Sequence, residues 1–377
     1  MVTLKATVTL PIIPGIVKIE YVREIDLPRP RRSRQFRIGL PLAQFALDCV
    51  LADQFAGGHE QGGWSKSYDG YIHFLFGDTL PPDVSTKDTI TFSASIAEDL
   101  VRFLRLPLAT PLAAGVLHRL DHLGAYIVRH QDAVTGGFGR LGHERSRGGP
   151  LVQVDLRHTL WALIAVDAIA SEDPAAEVLI LRAAEYIRRA VDDLHPVKER
   201  AYTFAALHRF LTTESLAAAV WPSIVRREQL LRDVESALIA KYSGDHNTWD
   251  ADRDPAVRTA IDNALYTLRS VRFGKTNDAV LRDRLRVCVE KLANRSTIAS
   301  GDQAALPFHP AGGPDLGATV RFVQLLCEEG EYCDCVGGRI SKYVAYINDA
   351  RNLRAAEFCF PWHLSGALAV AGGPSVS

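Results

Sequence analysis

The sequence predicts a mainly helical chain of repeated helical hairpins behind a short β-hairpin arm, and three observations carry that expectation. From about Leu40 onward, apolar residues recur three and four positions apart, the period of a helix with a buried face. Glycine-rich loops that end in an aromatic residue recur between those runs. Alternation of β-branched and polar residues, the period of a strand, is confined to the region before Ile25.

In chain order, Thr3 to Leu10 and Val17 to Ile25 flank Pro11-Ile12-Ile13-Pro14-Gly15, which supplies turn chemistry, so residues 1–27 read as a β-hairpin arm. Residues 28–39 read as a linker, because two prolines and the arginines Arg29, Arg31, Arg32, Arg34 and Arg37 give it local positive charge and no helical start. The helical domain takes 40–377. Its periodic runs cover Ile96 to Leu106, Leu112 to Val128, Leu160 to Ala170, Ala175 to Val191, Ala201 to Leu211 and Arg227 to Ala240. They continue through Ala256 to Val271, Ala279 to Leu292, Ala318 to Cys327, Ile340 to Ala350 and Pro361 to Val370.

The 377 residues carry 43 Lys and Arg against 44 Asp and Glu, a balance that offers nucleic acid or an anionic membrane no global attraction. Nucleic-acid binding is therefore not expected beyond the local arginine run. No apolar stretch is long enough to span a membrane, and the start MVTLKATVTL lacks the order of a signal peptide, so a cytoplasmic location with reduced cysteines is expected. There is no phosphate-binding Walker loop, no dinucleotide glycine fingerprint and no Asp-Asp-x-x-Asp run, Asp192-Asp193 standing alone.

The loops resemble one another: Gln61-Gly62-Gly63-Trp64, Gln131 to Phe138 with Gly136-Gly137, and more weakly Phe308 to Gly313. Helices with a small hydroxyl residue near their start follow, at Thr159, Thr259, Thr319 and Ser365. This unit resembles the repeat of squalene and terpene cyclases and of protein prenyltransferase β subunits, whose helical hairpins close into an α/α toroid. The resemblance implies an all-α, α/α toroid domain. Within it the glycines would make the tight turn, the aromatic would fill the gap between hairpins, and the glutamine would bond loop backbone or the next helix end.

In cyclases that protonate an alkene, the acid lies in an Asp-x-Asp-Asp-Thr motif at the start of a barrel helix. The corresponding segment here reads Asp155-Leu156-Arg157-His158-Thr159, with Arg157 and His158 where two aspartates would stand. Neither can be a strong desolvated acid, so ordinary cyclisation is not expected there. Asp155, Arg157 and His158 remain candidate functional residues, and Asp252 and Asp254, before Ala256, are the alternative acids. The plainer reading of both segments is helix capping, with Arg157 paired to a nearby carboxylate.

Prenyltransferase β subunits hold zinc with an Asp-x-Cys pair and a distant histidine, and the resemblance points to Asp334, Cys335 and His363, although Asp334 and Cys335 are adjacent. Zinc is thus the one cofactor candidate, and no cofactor is the leading expectation. The aromatics Trp64, Phe138, Trp161, Tyr202, Trp249, Phe308 and Trp362 are candidates to line a cavity, or else to fill the core of the repeats. The expectation for function is a toroid without the usual cyclase acid that binds an unidentified protein or peptide partner or an apolar ligand. The alternative is an enzyme on isoprenoid substrates.

Overall fold

The computed structural model describes residues 2–12, 15–25, 46–48, 50–52, 54, 62–64, 90–106, 113–139, 154–170, 174–244, 248–249, 257–295, 297–307, 314–349 and 361–369. Strands β1 (Val2–Ile12) and β2 (Gly15–Ile25) pair antiparallel, from Val2 opposite Ile25 to Ile12 opposite Gly15. The rest is mainly helix. In order come α1 (Ile90–Leu104), α2 (Ala113–His130), α3 (Leu156–Ala170), α4 (Pro174–Asp192), α5 (Ala201–Leu211), α6 (Glu214–Val220) and α7 (Ile224–Ala240). Then follow α8 (Val257–Ser270), α9 (Ala279–Asn294), α10 (Leu316–Glu328), α11 (Glu331–Val336), α12 (Ile340–Asn348) and α13 (Pro361–Ala369). Among the described residues no helix is long and apolar enough to cross a membrane.

Which helices lie inside is written in their residues. Helix α3 buries Leu156, His158 and every residue from Thr159 to Val166, so it is apolar nearly all round. Helix α4 buries only a stripe, Ala175, Ala176, Leu179, Ile180, Ala183, Ala184, Ile187 and Val191, and its other face carries charge. The packing follows: α3 touches α1 on one side and α5 on the other, while α4 covers α3 from outside. The chain of contacts continues from α5 to α8, α8 to α10, α10 to α13, and α13 back to α1, so six helices form a closed ring. Helices α2, α4, α7, α9 and α12 pack on the ring helices α1 and α3, α3, α5, α8 and α10 respectively.

The recurring loops are equivalent in detail. Gln54 Nε2 donates to the Gly62 carbonyl at 2.9 Å and to the Arg119 carbonyl of α2 at 2.8 Å. Gln131 Nε2 repeats this with the Gly136 and Leu179 carbonyls, both at 2.9 Å. Gly62 (φ 95°) and Gly136 (φ 73°) sit in the left-handed region, and a Cβ there would lie 2.0 Å from the His122 oxygen and 2.1 Å from the Arg182 oxygen. These acceptors and close approaches stand three residues apart on each helix, Arg119 with His122 and Leu179 with Arg182. Glycine is required twice over, by backbone conformation and by space.

The residue that fills each gap is held by the next ring helix. Trp64 N donates to Ser93 Oγ, Phe138 N to Thr159 Oγ1 and Leu306 N to Thr319 Oγ1, at 2.9, 2.9 and 3.0 Å. In the last of these loops the filling residue is therefore Leu306; Phe308 lies outside the described residues. Trp249 fills another junction: its Nε1 donates to Leu238 O at 2.9 Å, as Trp64 Nε1 does to Val50 O at 2.7 Å. Tyr242, opposite Trp249 in the β3 (Tyr242–Ser243) and β4 (Thr248–Trp249) pair, stands where Gln54 stands opposite Trp64.

Short strands therefore do occur after Ile25, as loop pairs: β3 with β4, and β5 (Thr297–Ser300) with β6 (Gln303–Ala305). Helix starts also extend beyond the apolar periodicity where a cap fixes them. Asp155 Oδ1 accepts from His158 N, Ser223 Oγ from Arg226 N and Asp315 Oδ1 from Ala318 N. Asp155 and Asp315 are equivalent, since each donates its backbone N–H to the gap-filling residue, Phe138 or Leu306, and accepts from the threonine four positions on.

Candidate functional site

The middle of the ring is filled by charge. Asp99 of α1 is fully buried; its Oδ1 accepts from Arg269 of α8 and from Gln324 of α10, both at 2.7 Å. Its Oδ2 accepts from Arg321 of α10 at 2.8 Å and from Ser365 of α13 at 2.6 Å. Neighbouring Glu98 pairs with Arg209 of α5, and Arg102 pairs with Glu328 of α10. Helix α1 has α3 and α13 as its ring neighbours, so bonds from it to α5, α8 and α10 cross the centre.

These pairs also set direction. Asp99 meets Gln324, and one turn further Arg102 meets Glu328, so α1 and α10 run the same way. Tyr202 lies beside Tyr266, ring centroids 6.4 Å apart, and two turns on Arg209 acts on Arg272, so α5 and α8 also run together.

Such burial costs charge its hydration, and the neighbours decide what remains ionised. Burial alone would raise the Glu98 carboxyl, but Arg209, Arg269 and Arg102 hold it at about 2. Asp99 is likewise held below the ordinary carboxylate value by Arg269 and Arg321 against the effect of burial. Burial pushes the Arg321 guanidinium down to about 10, with Asp99 opposing.

Beside this network lies a cleft lined by Thr91, Phe92, Ser95, Trp161, Tyr266, Arg269 and Ser270. Its enclosed room is about 10 Å³, that of about one water molecule. Trp161 Nε1 donates to the Tyr266 hydroxyl, and burial pushes that phenol up to about 12, leaving it a neutral group at physiological pH. Trp161 is thus the cavity candidate on the cleft wall, with Tyr202 packed against Tyr266 behind it. Trp64, Phe138 and Trp249 are fully buried in the helix junctions instead. The side chain of Trp362, in α13, lies outside the described residues.

At the first turn of α3, Asp155, Arg157 and His158 come together. His158 Nδ1 is 2.7 Å from Asp155 Oδ1, and Arg157 Nη2 is 3.1 Å from His158 Nε2. Both ring nitrogens are thereby engaged, Nδ1 with the carboxylate and Nε2 with the guanidinium. Among the described residues Arg157 has no carboxylate partner; its guanidinium stacks on Tyr202, 4.2 Å from the ring centroid. Burial would raise Asp155, but the bonds from His158 hold it at about 2, a firm anion and no proton donor. Asp252 and Asp254 lie outside the described residues.

Asp334 and Cys335 lie on α11, which packs against α9 and α10. Burial, with Glu290 adding, raises the Cys335 thiol. Burial pushes nearby Cys327 up to about 12, so these are protonated thiols. The side chain of His363, in α13, lies outside the described residues. Among the described residues no three of His, Cys, Asp and Glu are grouped so as to hold a metal ion.

The central network was missed by sequence reasoning. Its signal is charge inside apolar runs: Glu98-Asp99 in α1, Arg209 between His208 and Phe210, and Arg321 and Gln324 within Thr319 to Leu326. A search for similarity finds no protein-family model and no curated protein that matches this chain.

Proposed function

We propose that the ring and its outer helices are an α/α toroid of the kind found in terpene cyclases and prenyltransferase β subunits, used here as a binding or signalling scaffold. The observation that carries this reading is the filled centre: the place where an apolar substrate would fold is occupied by Glu98, Asp99, Arg269, Arg321 and Gln324. The anionic Asp155 supports it, because alkene protonation needs a protonated acid. Recognition of a protein, peptide or small apolar group falls to the rim at Arg157 and Tyr202, whose ring lies against the Tyr266 that lines the cleft beside Trp161. The aromatic walls of that cleft, Phe92, Trp161 and Tyr266, are what favour the second reading, an enzyme on isoprenoid substrates.

The test is native mass spectrometry of gently purified protein with metal analysis, beside incubation with squalene and with prenyl diphosphates. The scaffold reading expects no retained isoprenoid, no stoichiometric zinc and no product. A cyclised or transferred prenyl product overturns it in favour of the enzyme.

A further inference from the structure

Thr91, Ser95, Asp99 and Arg102 recur at the helical period along α1, so the face that carries the charged network further on carries two hydroxyls at its start. Both line the cleft, whose other walls include Trp161 of α3 and Tyr266, Arg269 and Ser270 of α8. Helices α1 and α8 are not neighbours in the ring, so the cleft opens into its interior.

Helical hydroxyls are usually satisfied by a carbonyl one turn back. Ser270, on the α8 wall, is: its Oγ donates to Tyr266 O at 2.7 Å. Thr91 and Ser95 are not. Each is only 5 % exposed, and among the described residues Thr91 Oγ1 has no hydrogen-bond partner. Ser95 Oγ accepts from Arg269 Nη1, but among the described residues its own hydrogen finds no acceptor.

The charge on the wall is already answered. Arg269 Nη2 donates to Asp99 Oδ1 at 2.7 Å and lies 3.7 Å from Glu98 Oε2, so it is no free cation awaiting an anion. What the cleft offers is two hydroxyl hydrogens beside the rings of Phe92, Trp161 and Tyr266. Its enclosed part takes one oxygen atom, and with its open mouth the cleft spans about 270 Å³, enough for a single ring. A water molecule would satisfy the hydroxyls and leave the aromatic surface wet.

We propose that the cleft binds a small molecule built on one aromatic ring with a neutral carbonyl group, its oxygen accepting from Thr91 and Ser95 and its ring packed among Phe92, Trp161 and Tyr266. This gives the small apolar group of the scaffold reading a chemical class, and it rests on that reading. A carbonyl oxygen has the two lone pairs that two hydroxyl donors one turn apart can share.

The test is ligand-observed NMR titration of the full chain with benzamide, benzoate and toluene. Wild type is compared with Thr91→Val, which keeps the side-chain shape and removes the hydroxyl, and melting temperatures are recorded for both. Saturable benzamide binding is expected, about fivefold weaker in the variant as loss of one hydrogen bond implies, with toluene binding not weakened. Thr91→Val should melt at the wild-type temperature or higher, since no bond within the protein is lost. Absence of saturable benzamide binding, or equal binding by the variant, overturns the proposal. Tighter binding of benzoate than of benzamide also overturns it by making the cleft an anion site, as does a lower melting temperature in Thr91→Val, which would give the hydroxyl a partner in the protein. The scaffold reading fails on a different result, a prenyl product, so the two failures are told apart.

Discussion

Arg321 Nη1 donates to Asp99 Oδ2 at 2.8 Å across the centre of the ring, joining α10 to a helix that is not its neighbour. The same carboxylate holds Arg269, Gln324 and Ser365, so three other helices converge on this one side chain of α1. Asp99→Asn removes the charge and leaves two guanidiniums buried against an amide. Breaking a buried pair in this way costs about 3–5 kcal/mol. Urea unfolding of the purified variant checks it, and a loss under about 1 kcal/mol, the range of exposed pairs, would mean that the centre is open to water.

Gly366 is the space that α13 leaves for this network. A Cβ there would lie 2.6 Å from Gln324 Oε1 and 3.4 Å from Arg321 Cζ. The Gln324 amide is the far end of a flexible side chain, but it is tied to Asp99 and Glu328 at 2.7 and 2.6 Å and cannot swing away freely. Gly366→Ala is therefore expected to cost about 1–3 kcal/mol, the range for overpacking a tight core. Thermal melts of wild type and variant read the difference directly.

Helix existence was legible because one-sided and all-round apolar periodicity survive in single sequence: Ala201 to Leu211 is bounded as read, and Ala175 to Val191 within a residue at each end. Short α6 and α11 were not, because one or two turns carry too little period. The loops were legible in part. Gln131, Gly136 and Phe138 announce themselves by residue type, but Leu306 and Tyr242 do the same structural work with other side chains. Ser365, grouped by sequence with Thr159 and Thr319 as the hydroxyl residue near a helix start, belongs to the central network. What joins Glu98 to Arg209 or Asp99 to Arg321 is separation by more than a hundred residues, and composition holds no trace of who faces whom.

The equivalence of the first two loops predicts equal penalties. Gln54→Ala and Gln131→Ala each delete an amide that donates to two carbonyls, one in its loop and one in the covering helix. Each should lose about 1–3 kcal/mol from acceptors left without a donor. Denaturant unfolding should give matching values for the two. A large loss for one and none for the other would show that the loops bear load differently despite their shared geometry.

His208 gives the chain an acid-side weakness. It is fully buried on α5, and its Nε2 lies 3.6 Å from Glu235 Oε1 of α7. Burial lowers its affinity for a proton below the ordinary value of 6.5, with Arg209 and Arg272 adding repulsion and Glu235 opposing. The unfolded chain then takes up the proton first as pH falls, so the contribution of His208 to stability is complete above about 6.5 and declines below it. At most one proton is involved, which limits the slope to about 1.4 kcal/mol per pH unit. His208→Gln removes that titration while Glu98 and Asp155, each held at about 2, remain common to both proteins. The difference in unfolding free energy between wild type and variant should therefore be constant above pH 7 and shift towards the variant as pH drops from 6.5 to 5. Urea titrations at half-unit intervals measure it; a flat difference would mean that His208 takes its proton as readily in the fold as in the unfolded chain, and a shift towards the wild type that Glu235 keeps the imidazole protonated in the fold.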